Sequence, residues 1–399
     1  MIHAMIGGGA AGMFAAIRCK EANPHSEVIL LEKTNQLLAK VRISGGGRCN
    51  VTHSCFDPSE LSRNYPRGSK ELIGPFHSFQ PKQVVAWFEE RGVALKREAD
   101  GRMFPVTDSS ETIIDCLMRA ADRAGVQIRK QQKIQNIKKT QGGFLIQLPE
   151  SQIAAHSILL ATGSSPWGHD LAKQFGHTIV EPVPSLFTFN VPTSPLLDLS
   201  GISVPQAILE LKGTSLRQQG PLLLTHWGFS GPAALKLSAW AARELAAVDY
   251  KATLLINWTA SPNQEILYRS FLQKKEESPL EPLPQLLPSN LFTRLLSSLK
   301  ILPSTPLGKL SNQHLFQLAA KLHADPYPID GKTTYKQEFV TAGGINLKEI
   351  GFKTMESRIT PGLFFAGEIL NIDGVTGGFN FQNAWTTGWL AGTAMNCRT

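Results

Sequence analysis

Gly7-Gly8-Gly9-Ala10-Ala11-Gly12 follows the short apolar run Ile2–Ile6 and opens a helix-like stretch, Met13–Ala22. A second apolar run, Val28-Ile29-Leu30-Leu31, ends at Glu32, twenty residues beyond Gly12. Strand, glycine turn, helix, strand and acid in this order form the G-x-G-x-x-G dinucleotide fingerprint. In that reading Gly7 makes the tight turn and Gly12 lets the helix lie close on the sheet. Gly9 lets a pyrophosphate reach the backbone, whose free helix-start N–H groups face the phosphates. Glu32 then accepts hydrogen bonds from an adenosine ribose.

The chain has 399 residues, too many for one compact core, and two or three domains are expected. Its 42% hydrophobic and 18% charged content is that of a globular protein. No stretch reaches the roughly 18 consecutive apolar residues of a membrane span, and the apolar start lacks the basic region of a signal peptide. The five cysteines, Cys19, Cys49, Cys55, Cys116 and Cys397, include no C-x-x-C pair. This argues against a disulfide framework, a zinc site or a redox dithiol, and fits a reducing cytoplasm. Ten histidines show no ligand spacing, so no metal is expected. The net charge is +8, yet the cations are scattered. Their densest group, Arg129, Lys130, Lys133, Lys138 and Lys139, lies in alternating segments that read as an exposed sheet face. Nucleic acid is therefore a disfavoured partner, and a basic surface equally suits anionic cofactors.

Along the chain, a helix is expected over 80–92. Another starts at Asp108-Ser109-Ser110-Glu111 with capping-box spacing and stops at Gly125. Strands are expected near 126–128, 133–139, 143–148 and 157–163. From about 180 to 220 prolines, threonines and short alternating runs indicate β structure. Gly231-Pro232 opens a helix, 254–258 is a strand, and 262–324 is mostly helical, with turns at Pro279, Pro282 and Pro284. Strands return at Phe339–Thr341 and Leu363–Gly367, and a last helix starts near Asn380. The simplest architecture is α/β: a doubly wound, Rossmann-like domain assembled from both chain ends (1–185 and 341–399). The middle is an insertion, with a β subdomain (186–261 and 325–340) and a small helical one (262–324).

Three further constellations carry chemistry. Ser44-Gly45-Gly46-Gly47-Arg48-Cys49-Asn50 sets three glycines before an arginine, a backbone made to lie against a flat or phosphorylated group, with Arg48 suited to a diphosphate. In the tail, Gly367-Glu368 ends a strand, Asp373 follows, and Gly377-Gly378-Phe379-Asn380 starts the last helix. A helix N-terminus stabilises nearby negative charge, such as a reduced isoalloxazine, the acids could bind ribityl hydroxyls, and Asn380 is a candidate helix cap. On that helix Trp385 and Trp389, with Gly388 and Gly392, read as close core packing rather than a cofactor stack. The turn Thr225–Pro232, with His226, lacks the G-x-S-x-G of a serine hydrolase.

Taken in order, Gly7–Gly12, Ile43–Thr52, Ala161-Thr162-Gly163, Leu224–Pro232 and Phe365–Gln382 resemble the bacterial three-domain flavoproteins called YhiN-like or BaiN-like NAD(P)/FAD-dependent oxidoreductases. Some members of that group are labelled aminoacetone oxidase. The resemblance implies FAD, its ADP half on Gly7, Gly8, Gly9, Ala10, Ala11, Gly12, Glu32 and Lys33. It implies that Lys40, Ser44, Gly45, Gly46, Arg48, Cys49 and Asn50, with Ala161, Thr162 and Gly163, join Gly367, Glu368, Asp373, Gly378, Phe379, Asn380 and Phe381 around the flavin half. It also implies an inserted β-barrel-like domain. Leu38-Ala39-Lys40 departs from the family's Gly-Arg-Lys, and Ser164–Asp170 compresses a longer family loop. The expected activity is hydride transfer between flavin N5 and a small organic substrate, with NADH or NADPH as donor. No acid or base is nominated. With no second G-x-G-x-x-G, a separate NADPH domain is disfavoured. The alternatives are an amine oxidase reoxidised by oxygen, a flavin-bound tRNA-modifying factor and a redox sensor.

Overall fold

The computed structural model describes residues 1–274, 287–334 and 340–396. The turns expected at Pro279, Pro282 and Pro284, the strand residue Phe339, and Cys397 lie outside them. The chain divides into two compact units, Met1–Val183 with Lys336–Thr399, and Pro184–Tyr335.

In the first unit the opening fingerprint folds as read. Strand β1 (Ile2–Ile6) leads through the glycine turn into helix α1 (Ala10–Ala22), and β2 (Glu27–Leu31) pairs parallel with β1. A helical segment, α2 (Ala39–Gly47), follows, then α3 (Ser110–Ala124) and β3 (Gln127–Arg129). A three-stranded antiparallel sheet, β4 (Asn136–Thr140), β5 (Gly143–Gln147) and β6 (Gln152–Ala155), leads to β7 (Ser157–Leu160) and α4 (Pro166–Gln174). The C-terminal segment adds β8 (Leu363–Phe365) and α5 (Phe379–Ala394). The parallel order is β8-β7-β1-β2-β3, so both chain ends build one Rossmann-like sheet.

The ends are locked together by helix α1 lying on α5. α1 is buried on most of its circumference, as a helix caught between sheet and helix must be. A Cβ on Gly388 would stand 2.7 Å from the Ala11 carbonyl, and one on Gly392 would overlap the Ala15 carbonyl. Phe14 fills the seam against Trp385 (5.3 Å between ring centres) and Trp87 (4.7 Å). Trp385 is wholly buried and donates to the Val51 carbonyl at 2.9 Å, so it is core.

One local expectation changes, and two elements appear where none was expected. Residues 39–43 carry no helix breaker and coil into α2 before the glycines, and the helix breaks where Ser44 turns extended (ψ 148). The Asp108–Glu111 stretch starts α3, but Ser109 makes no side-chain cap. Ser110 donates to the Arg42 carbonyl at 2.7 Å, Glu111 pairs with Arg42, and Asp108 pairs with Lys96, so tertiary partners have taken the capping groups. The third strand of the small sheet, β6, has only Ile153 as a large apolar residue and gave no periodic signal.

The second unit holds a seven-stranded sheet. In chain order its members are Thr188–Asn190, Ser203–Leu211, Arg217–Leu224, Gly228–Ser230, Lys251–Asn257, Asp325–Asp330 and Lys332–Thr333. All its pairings are antiparallel. The expected barrel does not close. The two edge strands, Asp325–Asp330 and Lys332–Thr333, are consecutive pieces of chain divided at Gly331 and do not pair with each other. The helical stretch packs on this sheet, for Leu291, Leu295, Leu315 and Leu318 share one apolar core with Phe229, Ile256 and Trp258.

Candidate cofactor site

The first turn is packed to its atoms at two glycines and open at the third. Gly7 sits at φ 111, its N–H bonded to the Leu31 carbonyl at 2.9 Å, and a Cβ there would overlap the Ala161 carbonyl. A Cβ on Gly12 would overlap the Gly7 carbonyl. A Cβ on Gly9 would meet nothing within 4 Å. Gly9 is also the N-cap of α1 and supplies no side-chain cap, so the first-turn N–H groups lack a side-chain acceptor there. An anionic linker fits at that point, because space, unpaired donors and the helix dipole coincide. Glu32 is held beside it: one carboxylate oxygen accepts from the Gly8 N–H and the other from the Thr34 N–H, each at 2.9 Å. Lys33 is exposed next to it.

A second cluster gathers around Glu368. Its carboxylate accepts from Lys40 at 2.5 Å and from the Thr341 N–H at 3.2 Å. Gly163, just past β7, lies against it, since a Cβ there would stand 3.7 Å from the carboxylate. Gly367, at φ 76, faces the Ala11 side chain of α1, its N–H bonded to Thr387 Oγ1 at 2.9 Å. This ties the tail to the first turn. Asn50 ties it to the second loop: its amide, in the orientation that satisfies both groups, donates to the Thr52 carbonyl and accepts from the Gly378 N–H. Gly378, not Asn380, is the N-cap of α5, and the Asn380 amide instead clasps both backbone groups of Gly374, at 2.8 and 2.9 Å.

Other candidates are engaged elsewhere. Arg48 lies over the Phe104 ring (4.0 Å) and pairs with Glu98 at 2.7 Å, so a diphosphate would have to displace those partners. Asp373 has no exposed surface and meets Arg67 through two hydrogen bonds. Cys49 is buried, and burial pushes its thiol up to about 12, which makes it inert. Phe381 stacks on Trp385 and Phe379 on His53. Ser44, Gly45 and Gly46 carry the break at the end of α2.

Several buried polar groups stand out; of these, the sequence placed only Thr162 at the site. Thr162 Oγ1, Thr341 Oγ1, Asn371 Oδ1, Asn383 Oδ1 and His169 Nε2 are buried atoms without a protein partner. His169 is 4% exposed, and burial lowers its pKa, so the ring is neutral near pH 7. Buried polar atoms are ordinarily paired. Such groups, past the ends of β7 and β8, along α4 and α5 and in the strand Val340–Ile345, suit a polar ligand. No spacing rule marks them, because they become neighbours only when the two chain ends meet.

An open glycine turn at a helix N-terminus, with an acid on the next strand and orphaned polar groups beside the tail, defines a dinucleotide-binding Rossmann protein. The chain belongs to the HI0933-like family, whose Rossmann-domain model matches residues 2–394. It is similar to the ribosomal RNA dihydrouridine synthase of Escherichia coli (30% identity, covering 96% of this chain and 95% of that protein). It is also similar to the 3-dehydro-bile acid delta(4,6)-reductase of Clostridium scindens (26% identity, 98% of both chains). Among solved structures, the 3-ketosteroid-delta4-(5alpha)-dehydrogenase of Rhodococcus jostii shares the fold (TM-score 0.52, 15% identity, covering 98% of this chain and 96% of that one). The protein is thus an FAD-dependent oxidoreductase by family. Among the described residues no helix is long and apolar enough to cross a membrane.

Proposed function

We propose that this protein reduces a carbon–carbon double bond conjugated to a carbonyl, that its acceptor is a uracil base in RNA, and that NADH or NADPH is the donor. The observation that carries this reading is the full-length similarity to a ribosomal RNA dihydrouridine synthase at 30% identity. Dihydrouridine differs from uridine by two hydrogens across C5=C6, a bond conjugated to the C4 carbonyl. A 3-keto group conjugated to Δ4 and Δ6 double bonds, as in the bile-acid relative's name, belongs to the same bond class. The net charge of +8 suits a polyanion, although the scatter of the cations by itself counted against nucleic acid. FAD, when bound, supplies hydride transfer. The chain's part is to hold the linker at Gly9 and the ribose at Glu32, and to shield the site with the buried shell around Thr162, His169 and Thr341. The second unit's sheet is antiparallel, so among the described residues NAD(P)H has no second Rossmann turn to dock on.

The test is anaerobic. Purified holoprotein is mixed with NADH, then NADPH, and the flavin absorbance is followed; one of them bleaches it. Unmodified ribosomal RNA transcripts are then added, and digested nucleosides are weighed by mass spectrometry. A gain of two hydrogens on uridine is expected. Reduction of a 3-keto-Δ4 steroid with RNA untouched would instead establish the second reading, a small-molecule enone reductase, which the bile-acid relative favours. Bleaching by neither nucleotide would sink the donor assignment.

A further inference from the structure

Cations in much of the first unit are neutralised locally. Arg42 pairs with Glu111, Arg48 with Glu98, Arg91 with Glu21, Lys96 with Asp108, and Arg102 with Asp100. The stretch from Val126 to Pro149 is different, for it contains Arg129, Lys130, Lys133, Lys138 and Lys139 and no acidic residue. Among the described residues, Lys130, Lys133 and Lys138 are exposed and form no ion pair. The β4–β6 register separates two faces. Lys139 turns to the packed side, where its ammonium sits 4.1 Å from the Phe144 ring centre and donates to the Pro361 carbonyl. Lys138 points the other way, in a cross-strand row with Leu145 and Ala154. The next row on that face is Asn136, Gln147 and Gln152, all side-chain amides. None of the exposed large apolar side chains lies between 126 and 155.

We infer that the outward face of this small sheet, with the β3–β4 connection, is the surface on which the RNA backbone docks. This rests on the RNA reading above and adds the place of contact. Lys130, Lys133 and Lys138 meet phosphates, while Asn136, Gln147 and Gln152 supply sequence-neutral hydrogen bonds to phosphate and sugar oxygens. A membrane is less favoured, because apolar insertion beside the cations would strengthen binding and the face exposes no large apolar side chain.

The experiment titrates holoprotein into a fluorescent single-stranded RNA at several salt concentrations. It compares the wild type with the combined variant Lys130→Gln, Lys133→Gln, Lys138→Gln. A charge-matched control carries Lys212→Gln, Lys251→Gln and Lys309→Gln in the second unit, all at exposed positions. The sheet variant should lose about tenfold or more in affinity near 0.1 M salt, and its log–log salt slope should flatten by about 2, roughly 0.7 per phosphate contact. Its FAD content and its reduction by nicotinamide nucleotide should match the wild type, and the control should bind RNA as the wild type does. Equal binding by sheet variant and wild type, equal loss in the control, no RNA binding by the wild type, or stronger binding to vesicles of anionic lipid than to RNA would each overturn the surface. The two claims fail separately. A wild type that binds RNA through this face yet leaves uridine unreduced defeats the proposed reaction alone. A sheet variant that binds and reduces RNA at wild-type levels defeats the surface alone.

Discussion

Two glycine-rich turns sit near the start of this chain and use glycine for opposite reasons. In Gly7–Gly12 the constraint is contact: Gly7 and Gly12 have backbone carbonyls where a side chain would begin, and only Gly9 faces open space. In Ser44–Asn50 Gly45 abuts Phe104 and the Asn50 N–H, but at the next two glycines the constraint is backbone conformation. Gly46 and Gly47 meet nothing within 4 Å, yet hold φ of 69 and 84. The first turn is thus a packed frame around one vacant position, which is the shape of a phosphate cradle. The second is an open left-handed crook whose arginine is already spent on Glu98 and Phe104. Glycine content alone does not separate the two, whereas the atoms around each glycine do.

The contrast predicts a graded series. Gly12→Val should do most damage. The new side chain would enter the Gly7 carbonyl, backbone that cannot yield, and the variant should lose about 3 kcal/mol or more in urea unfolding, along with its flavin. Gly9→Asp should split these effects. Its Cβ has room and its backbone is extended (φ −81, ψ −171), so the unfolding midpoint should hold. Its carboxylate would stand where the pyrophosphate belongs, so the protein should purify colourless; a fully yellow variant would refute the placement of the site.

A pH titration should reach the first turn through its supporting strand. His3 of β1 is buried against Ser157, and burial, then the nearby N-terminal charge and His156, lower its pKa from 6.5 to about 4. The unfolded chain takes up this proton near pH 6.5 and the native state resists it. Stability should therefore be unaffected above pH 6.5 and fall by on the order of 3 kcal/mol on acidification toward pH 4. The same titration of His3→Asn should lack that slope. Smallest is Gly46→Ala, which has room but must hold a left-handed backbone. A loss of about 1 kcal/mol with flavin retained is expected from denaturation and absorbance. A larger loss there, or loss of flavin, would make the second turn a packed site like the first.

Much of this was legible beforehand. β1, α1 and β2 fall where the apolar runs and the fingerprint put them, because the turn chemistry and the period of burial agree locally. Gly125 ends α3 at φ 82, as its place after a periodic stretch implied. Less was legible where a side chain had a choice of partner. Asn380 reads as a cap but clasps Gly374, and nothing in the sequence marks the pairing of Asp373 with Arg67 or of Arg48 with Glu98. The partners lie 6, 306 and 50 residues away, and a polar group bonds whichever complement the fold brings within about 3 Å.

By itself the sequence determined that a dinucleotide turn opens the chain and that both ends share one α/β unit, since both follow from residue type and short-range period. Only the tertiary structure decided which glycine stays vacant, which acids remain on the ligand side and which cations go unpaired. Those outcomes depend on chain ends more than 300 residues apart meeting along α1 and α5, and no local pattern encodes the neighbours a folded surface will supply.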